Sequence, residues 1–213
     1  MKYIMRELYI LTILVSVASA QPSKIEVMNF DANLLPNSIK YKGNIAGGAH
    51  WKDNLGESFF FVTQTGKIES IGDCITSDGC YDAEIYAFCY IINKDSLLLL
   101  WKTVDYERNC AFDLYAGITD SAIFITDLNS NGVAECSFLY LLSCRSDVSP
   151  SRLKLIMHEG RDKFAIRGTT QPLDTCSSQM NIDESFNSVD SRLKNFAIKK
   201  FREYMYRDSF KQF

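Results

Sequence analysis

The chain has 213 residues, of which 46% are hydrophobic, and its formal net charge is −3 at pH 7. That length allows one domain with a sizeable core. The mildly acidic balance argues against nucleic acid or an anionic membrane as the main partner, because both attract basic surfaces.

Residues 1–20 have the pattern of a secretory signal peptide. Lys2 and Arg6 give a positive start, residues 8–17 are apolar, and the small residues from Ala18 to Ala20 form a cleavage site. A bilayer-spanning helix needs roughly 20 apolar residues, so an uncleaved anchor is the less favoured alternative. We therefore expect a periplasmic or secreted protein that starts at Gln21 and has no later transmembrane segment.

All seven cysteines follow this peptide: Cys74, Cys80, Cys89, Cys110, Cys136, Cys144 and Cys176. In an oxidising compartment most should form disulfides, but the odd count leaves at least one thiol free or paired with another chain. A turn between Cys74 and Cys80 could close a small ring, and a long-range bridge between Cys110 and Cys144 is plausible. Cys89 and Cys136 lie in apolar strands and could be buried thiols. Zinc is disfavoured, because the sequence has no CxxC pair and only two histidines.

Short runs rich in aromatic and β-branched residues predict strands along most of the chain. After an extended lead-in over 21–38, the predicted strands are Ser38–Tyr41, Ser58–Thr65, Tyr81–Asn93, Leu97–Val104, Phe112–Ile118, Ala122–Thr126, Cys136–Cys144, Leu153–His158 and Lys163–Arg167. We expect a turn around Gly43, Gly47 and Gly48, and a short pair folded around Thr119-Asp120. The run Tyr81–Asn93 is apolar on both faces, which indicates a central, doubly covered strand.

These elements predict a mainly β (α+β) fold, an antiparallel β-meander of about eight to ten strands over residues 21–168. Residues 169–213 are predicted to hold a polar linker and a C-terminal amphipathic helix packed on the sheet. The helix should run from Val189 to about Phe210, with one apolar stripe. The stripe comprises Val189, Leu193, Phe196, Ala197, Phe201, Tyr204 and Met205. A helix that binds a partner or a membrane surface is the alternative.

The stretch 127–135 spaces oxygen donors as a calcium loop does. Side-chain oxygens occur at Asp127, Asn129, Asn131 and Glu135, Gly132 allows the sharp bend, and the Val133 carbonyl completes the set. It is not a full EF-hand, because the twelfth position is Phe138 and strands flank it. With two charged ligands, we expect a Kd on the order of 10⁻⁴ M or weaker. The alternative is a plain hairpin with an Asn-Gly turn.

Catalytic motifs are weak in this sequence. It contains no GxSxG elbow, P-loop, HExxH or dinucleotide fingerprint. His50 and His158 are isolated, and we expect both to be structural. The pairs Asp73/Asp78 and Asp82/Glu84 could serve a glycosidase only if they faced each other across a cleft. The aromatic residues 59–61 and Trp101 could stack on sugar rings, but core packing is the favoured interpretation.

Several segments between residues 45 and 168 resemble a group of exported bacterial proteins labelled as surface polysaccharide biosynthesis proteins, whose activity is unknown. The segments are Gly56-Glu57, Thr65-Gly66, Asp82–Tyr86, Trp101-Lys102, Cys110–Asp113, Asp127–Glu135, Cys144–Ser151 and Lys154–Gly160. The resemblance implies a role in the cell envelope and no particular catalytic residues.

We therefore expect an accessory or binding β-domain of the cell envelope. Enzymatic activity is uncertain, and the sequence leans against it. The expected partners are surface polysaccharide or an envelope protein, and the possible cofactor is calcium. A periplasmic or secreted carbohydrate-active enzyme is the main alternative. An inhibitor or toxin-like secreted factor is a third, supported by its cysteines alone.

Overall fold

The computed structural model of the protein describes residues 24–72, 74, 79–93, 96–171 and 178–207. Its strands are β1 (Glu26–Met28), β2 (Asn44–Asp53), β3 (Gly56–Gln64), β4 (Ile68–Glu69), β5 (Tyr81–Asn93), β6 (Ser96–Cys110), β7 (Asp113–Thr126), β8 (Glu135–Arg145), β9 (Arg152–Glu159), β10 (Asp162–Thr169) and β11 (Met180–Ile182). One α-helix, α1 (Ser191–Met205), and 3₁₀ turns at Ala32–Leu34 and Glu184–Asn187 complete the described elements. The signal peptide, Asp73, Asp78 and Cys176 lie outside the described residues.

The strands form two antiparallel sheets. In sheet A the order is β1-β2-β3-β5, and β5 also pairs with the short β4 and with β6. In sheet B the order is β11-β10-β9-β8-β7. Most neighbouring strands are consecutive in the chain, so the predicted mainly β fold with a C-terminal helix is confirmed, as a two-sheet meander.

Three apolar layers hold these elements together. The first lies between the sheets and includes Phe60, Cys89, Trp101 and Phe138. The second lies between sheet B and α1, and the third covers the outer face of sheet A around Phe61. Each layer exists because the strands present apolar side chains on alternate positions, which point to opposite faces.

Strands β5 and β8 are covered on both faces, as their doubly apolar sequences require. On β5, Ala87 and Cys89 face the inter-sheet layer, whereas Phe88 faces the outer layer. On β8, Phe138 faces sheet A and Leu139 faces the helix. Burial on both sides explains why period-two polarity is missing from these strands.

Helix α1 buries the predicted stripe against sheet B. Leu193, Ala197 and Phe201 are fully buried there. The helix begins after Asp190, whose carboxylate accepts a hydrogen bond from the Arg192 backbone N–H at 2.8 Å, which is the usual N-cap geometry. No helix among the described residues is long and apolar enough to cross a membrane.

Two sequence predictions about strands were wrong. Ser38–Tyr41 is not a strand, and the stretch around Gly47 and Gly48, predicted as a turn, is part of the ten-residue strand β2. Glycine at position 48 leaves room for the ring of Phe30, whose outer edge lies where a Cβ would be. A requirement for close packing was therefore mistaken for a requirement for a turn.

The predicted short pair around Thr119-Asp120 is a single strand. Both halves of β7 pair with β8, Ile118 opposite Tyr140 and Ile123 opposite Phe138. The four residues between them form a wide bulge opposite Leu139, and Ser121 there has a φ of 55°. The polar dipeptide marks an irregularity within a strand, and the chain does not reverse there.

The disulfides Cys74–Cys80 and Cys110–Cys144 are both present. The second joins the end of β6 in sheet A to β8 in sheet B. Cys89 and Cys136 are free, buried thiols, as their apolar surroundings indicated. Burial raises the pKa of both thiols, which makes them unreactive at neutral pH.

Candidate calcium loop and adjoining groove

The loop between β7 and β8, residues 127–134, is held in a tight conformation by its own side chains. The Asp127 carboxylate accepts hydrogen bonds from the backbone N–H groups of Asn131 and Gly132 at 3.0 and 3.2 Å. The Asn129 amide oxygen also accepts from Asn131 N–H, and the Asn131 amide oxygen accepts from Val133 N–H. These oxygens therefore turn toward the loop backbone.

The amide nitrogens of the same two asparagines point to a carboxylate that the sequence prediction had missed. Asn129 and Asn131 each donate from Nδ2 to Glu159 Oε1 at 2.7 Å. Glu159 ends β9, 24 residues beyond the loop's own acidic residue Glu135, and only the strand pairing brings it here. Hydrogen bonds at both the amide oxygen and the amide nitrogen therefore fix the orientation of each asparagine side chain.

Glu135 and Glu159 are direct cross-strand neighbours in sheet B. Glu135 is 0% exposed; Thr126 Oγ1 donates to its carboxylate at 2.8 Å and the Leu128 backbone N–H at 2.9 Å. Burial raises the pKa of Glu135 and the negative charge of Glu159 adds to this, against the hydrogen bonds from Leu128 and Thr126. Like charges opposite each other destabilise a sheet, so this end of sheet B favours a proton or a bound cation.

The loop is also docked on sheet A. Asp53 Oδ2 accepts hydrogen bonds from Ala134 N–H at 2.9 Å and from the Trp51 indole at 3.1 Å. The Asn54 backbone N–H donates to the Gly132 carbonyl at 2.8 Å. Since the Cys110–Cys144 disulfide joins the sheets near the other end of β8, this central strand is fixed to sheet A at both ends.

The helix reaches the same loop through one side chain. Arg192 Nη2 donates to the Asn129 carbonyl at 3.1 Å and also to Asp190 at 2.7 Å. The pKa of Arg192 is raised, first by the hydrogen bond to Asp190 and further by the negative charges of Glu135 and Asp127. A fixed positive charge therefore lies close to any cation in the loop.

The predicted residues offer carboxylate, amide and carbonyl oxygens, which are the ligands that a hard cation such as calcium prefers. Of the predicted residues, Asp127, Asn129, Asn131 and Val133 lie in the loop, and Glu135 is the first residue of β8. The accepting oxygens of Asp127, Asn129 and Asn131 each keep a further lone pair, whereas Glu135 Oε2 already accepts from both Thr126 and Leu128. Within the described ranges, however, no three His, Cys, Asp or Glu side chains are grouped to hold a metal. Any ion here would depend on amide and carbonyl oxygens and would bind weakly.

A groove of about 470 Å³ adjoins the loop. We call it the loop-end groove. Its lining residues are Leu55, Ile91, Leu100, Asn131, Val133 and residues 159–162. Its apolar floor comes from Ile91 and Leu100 of sheet A, Leu55 of the β2–β3 turn and Val133 of the loop, and Glu159, Arg161 and Asp162 supply its charges. Asn131 and Glu159 belong both to the groove and to the loop contacts, so the order of the loop shapes the groove.

The other candidate carboxylates do not form an acid–base pair. Asp82 and Glu84 lie on β5 beside Arg108, and Lys42 contacts Glu84 at 2.5 Å. Burial alone would raise the pKa of Glu84, but hydrogen bonds from Lys42, Tyr86 and Arg108 lower it to about 2. Both groups are ionised at neutral pH, whereas a general acid must keep its proton.

The two histidines and most of the aromatic residues in question contribute to packing. His50 stacks on Phe59 at 4.0 Å and its Nε2 lies 2.8 Å from Glu57. His158 is 4% exposed and stacks on Trp101 at 3.9 Å. Phe60 and Trp101 belong to the inter-sheet layer, and Phe59 and Phe61 are buried on the outer face of sheet A.

Comparison of the chain with family models, curated proteins and solved structures found no match. The class that the geometry defines is therefore a two-sheet β domain with a covering helix and one polar, loop-built end.

Proposed function

We propose that the protein is an exported, non-enzymatic binding domain of the cell envelope, in which a calcium ion in the 127–135 loop orders one rim of the loop-end groove. The observation that carries the proposal is the juxtaposition of buried Glu135 with Glu159 beneath a loop whose side-chain oxygens turn inward. A divalent cation there would offset the repulsion between the two carboxylates.

Export is supported by the signal-peptide pattern and by the two disulfides, because such bonds persist in oxidising compartments. The ligand we propose is surface polysaccharide, in line with the resemblance described above. The loop-end groove has the features of a binding surface, with an apolar floor and a few charged groups at its edge.

The burial and protonation of the carboxylates favour a binding role over glycoside hydrolysis. A glycosidase needs two carboxyl groups that both reach the substrate, one of them protonated. Glu135 has the raised pKa, but it is fully buried and is held by Thr126 and Leu128. Asp82 and Glu84 pair with Arg108, and both have a lowered pKa, so neither keeps a proton at neutral pH.

The calcium part of the proposal is tested by titration calorimetry on the mature protein. Wild type should give saturable heat at millimolar calcium, and Asp127→Asn should bind at least several-fold more weakly. Asp147→Asn is the matched control, since Asp147 is an exposed aspartate in the loop after β8, at the opposite end of that strand. Equal heats for the two variants would exclude this loop as the site.

The binding part is tested on an array of bacterial surface polysaccharides, with calcium and with a chelator. We expect retention of at least one acidic or neutral polysaccharide, reduced by the chelator and by Arg161→Ala in the groove. Retention that is unaffected by Arg161→Ala would place the ligand elsewhere on the surface. No retention of any polysaccharide would overturn the binding role.

A further inference from the structure

A second cavity lies where the irregular parts of β2 and β7 meet. The pairing of β2 shifts between Ile45 and Gly47, and that of β7 shifts between Ile118 and Ile123. The space between the two irregularities is about 560 Å³, within the range of small-molecule sites. We call it the bulge cavity, and it shares no lining residue with the loop-end groove.

Two side chains that line the bulge cavity each carry a buried polar atom without a hydrogen-bond partner among the described residues. The Thr119 side chain is part of a residue only 6% exposed, and its hydroxyl is unsatisfied. The Gln64 amide oxygen is buried and also unsatisfied. Buried polar atoms are almost always paired in folded proteins, so two unpaired ones in the wall of one cavity point to a ligand that pairs with them.

The backbone next to these two groups has one very close contact and one strained conformation. Gly117 lies so close to the Gln64 amide oxygen that a Cβ there would collide with it. Ser121, another residue that lines the cavity, has a φ of 55°, which a non-glycine residue rarely adopts. The Tyr204 hydroxyl of α1 donates to the Ser121 carbonyl at 2.5 Å and holds the bulge in place. The fold thus holds the backbone of the cavity wall in place, and a ligand bonds the two buried atoms once the Thr119 and Gln64 side chains turn toward it.

We propose that the bulge cavity binds an uncharged, hydroxyl-rich ligand of roughly one or two sugar rings, a size suited to this volume. A hydroxyl both donates and accepts, so it satisfies Thr119 and it satisfies the Gln64 amide in either orientation. Asp120 is the one charged side chain among the described lining residues, which disfavours an anionic ligand. The ligand class agrees with an envelope role, but the inference rests on this cavity and not on the calcium loop.

The test uses glucose, N-acetylglucosamine and glycerol as probes of the mature protein, by saturation-transfer NMR and calorimetry at millimolar concentration. Thr119→Val keeps the side-chain shape and removes the hydroxyl, and Gln64→Met removes the amide. Ser137→Ala is the matched control, because Ser137 is fully buried with an unsatisfied hydroxyl but does not line the cavity.

We expect at least one of the two sugars to bind, and each cavity variant to bind it about fivefold or more weakly, the effect of one lost hydrogen bond. Thr119→Val should unfold at the same urea concentration as wild type or a higher one, because it removes an unsatisfied group. The Ser137→Ala control should bind like wild type. Binding unchanged in both cavity variants, or no binding of any probe, would show that water alone fills the cavity. Either result leaves the calcium loop and the loop-end groove untouched.

Discussion

His158 should make the protein lose stability in mild acid, in the pH range where a free imidazole takes up a proton. The imidazole is buried against Trp101, and neither ring nitrogen makes a well-formed hydrogen bond to a described residue. Burial lowers the pKa of His158 to about 3, and the positive charge of Lys163 acts in the same direction. The folded protein therefore keeps this imidazole neutral in solutions where the unfolded chain binds a proton.

The direction and size of this pH effect follow from the difference in the pKa of His158 between the folded and unfolded states. Above pH 6.5 the imidazole is neutral in both, and His158 has no effect on the pH dependence of stability. Below pH 6.5 only the unfolded chain is protonated, so the free energy of unfolding falls by about 1.4 kcal/mol per pH unit until about pH 3. Between pH 7 and pH 5 the loss should be about 2 kcal/mol.

The assay is urea unfolding of wild type and His158→Phe at pH 7 and pH 5. Phenylalanine keeps an aromatic ring against Trp101 but cannot be protonated. The raised pKa of Glu135 acts in the opposite direction, but it is common to both proteins and cancels in the comparison. Wild type should lose about 2 kcal/mol more than the variant. Equal losses, or an NMR titration of folded His158 near pH 6.5, would refute the reasoning.

Three further outcomes are expected. Replacing Cys110 and Cys144 together by alanine removes a bridge of sequence separation 34 and should cost about 4 kcal/mol in urea unfolding, whereas an unchanged midpoint would mean that the bridge does not constrain the unfolded chain. Phe201→Ala should cost about 3–5 kcal/mol, because Phe201 is 0% exposed between α1 and sheet B, while Arg202→Ala on the exposed face should cost under about 0.5 kcal/mol. Similar losses in the two would mean that the helix is not docked. Arg192→Gln removes the positive charge beside the loop and should tighten calcium binding a few-fold by calorimetry; weaker binding would show that Arg192 supports the loop more than it repels the ion.

The architecture was predictable because the strands carry strong local signals. Both faces of β5 and β8 are apolar, and for β5 the sequence alone indicated a central strand covered on both sides. The stripe that includes Leu193, Ala197 and Phe201 gave the buried face of α1. Such patterns survive folding because side-chain direction is fixed by local geometry.

The errors arose where distant residues determine what a local signal means. Gly47 and Gly48 suggested a turn, but the glycine at 48 is there to let the Phe30 ring approach β2. Thr119-Asp120 suggested a hairpin, but Tyr204, 84 residues later, holds that segment as a bulge. Neither contact is visible at the sequence positions that misled the prediction.

Only part of the candidate site could be predicted from the sequence, again because residues distant in the chain contribute to it. The spacing of Asp127, Asn129 and Asn131 identified the loop, since these residues act within one turn of chain. Glu159, Asp53 and Arg192 complete its surroundings from three other elements, and no spacing rule connects them. A charged residue directly after a predicted strand, as Glu159 is after Leu153–His158, was the one signal that could have drawn attention to it.

The most direct test of the calcium-ordered loop is the melting temperature of the mature protein with 10 mM calcium or 10 mM magnesium, for wild type and Glu135→Gln. With a Kd near 10⁻⁴ M, calcium should stabilise wild type by about 2.7 kcal/mol, a rise of roughly 5–10 °C. Magnesium should do much less, because it demands a tighter octahedral site. Glu135→Gln should lose most of the calcium effect. A wild-type melting temperature that calcium leaves unchanged would contradict the account.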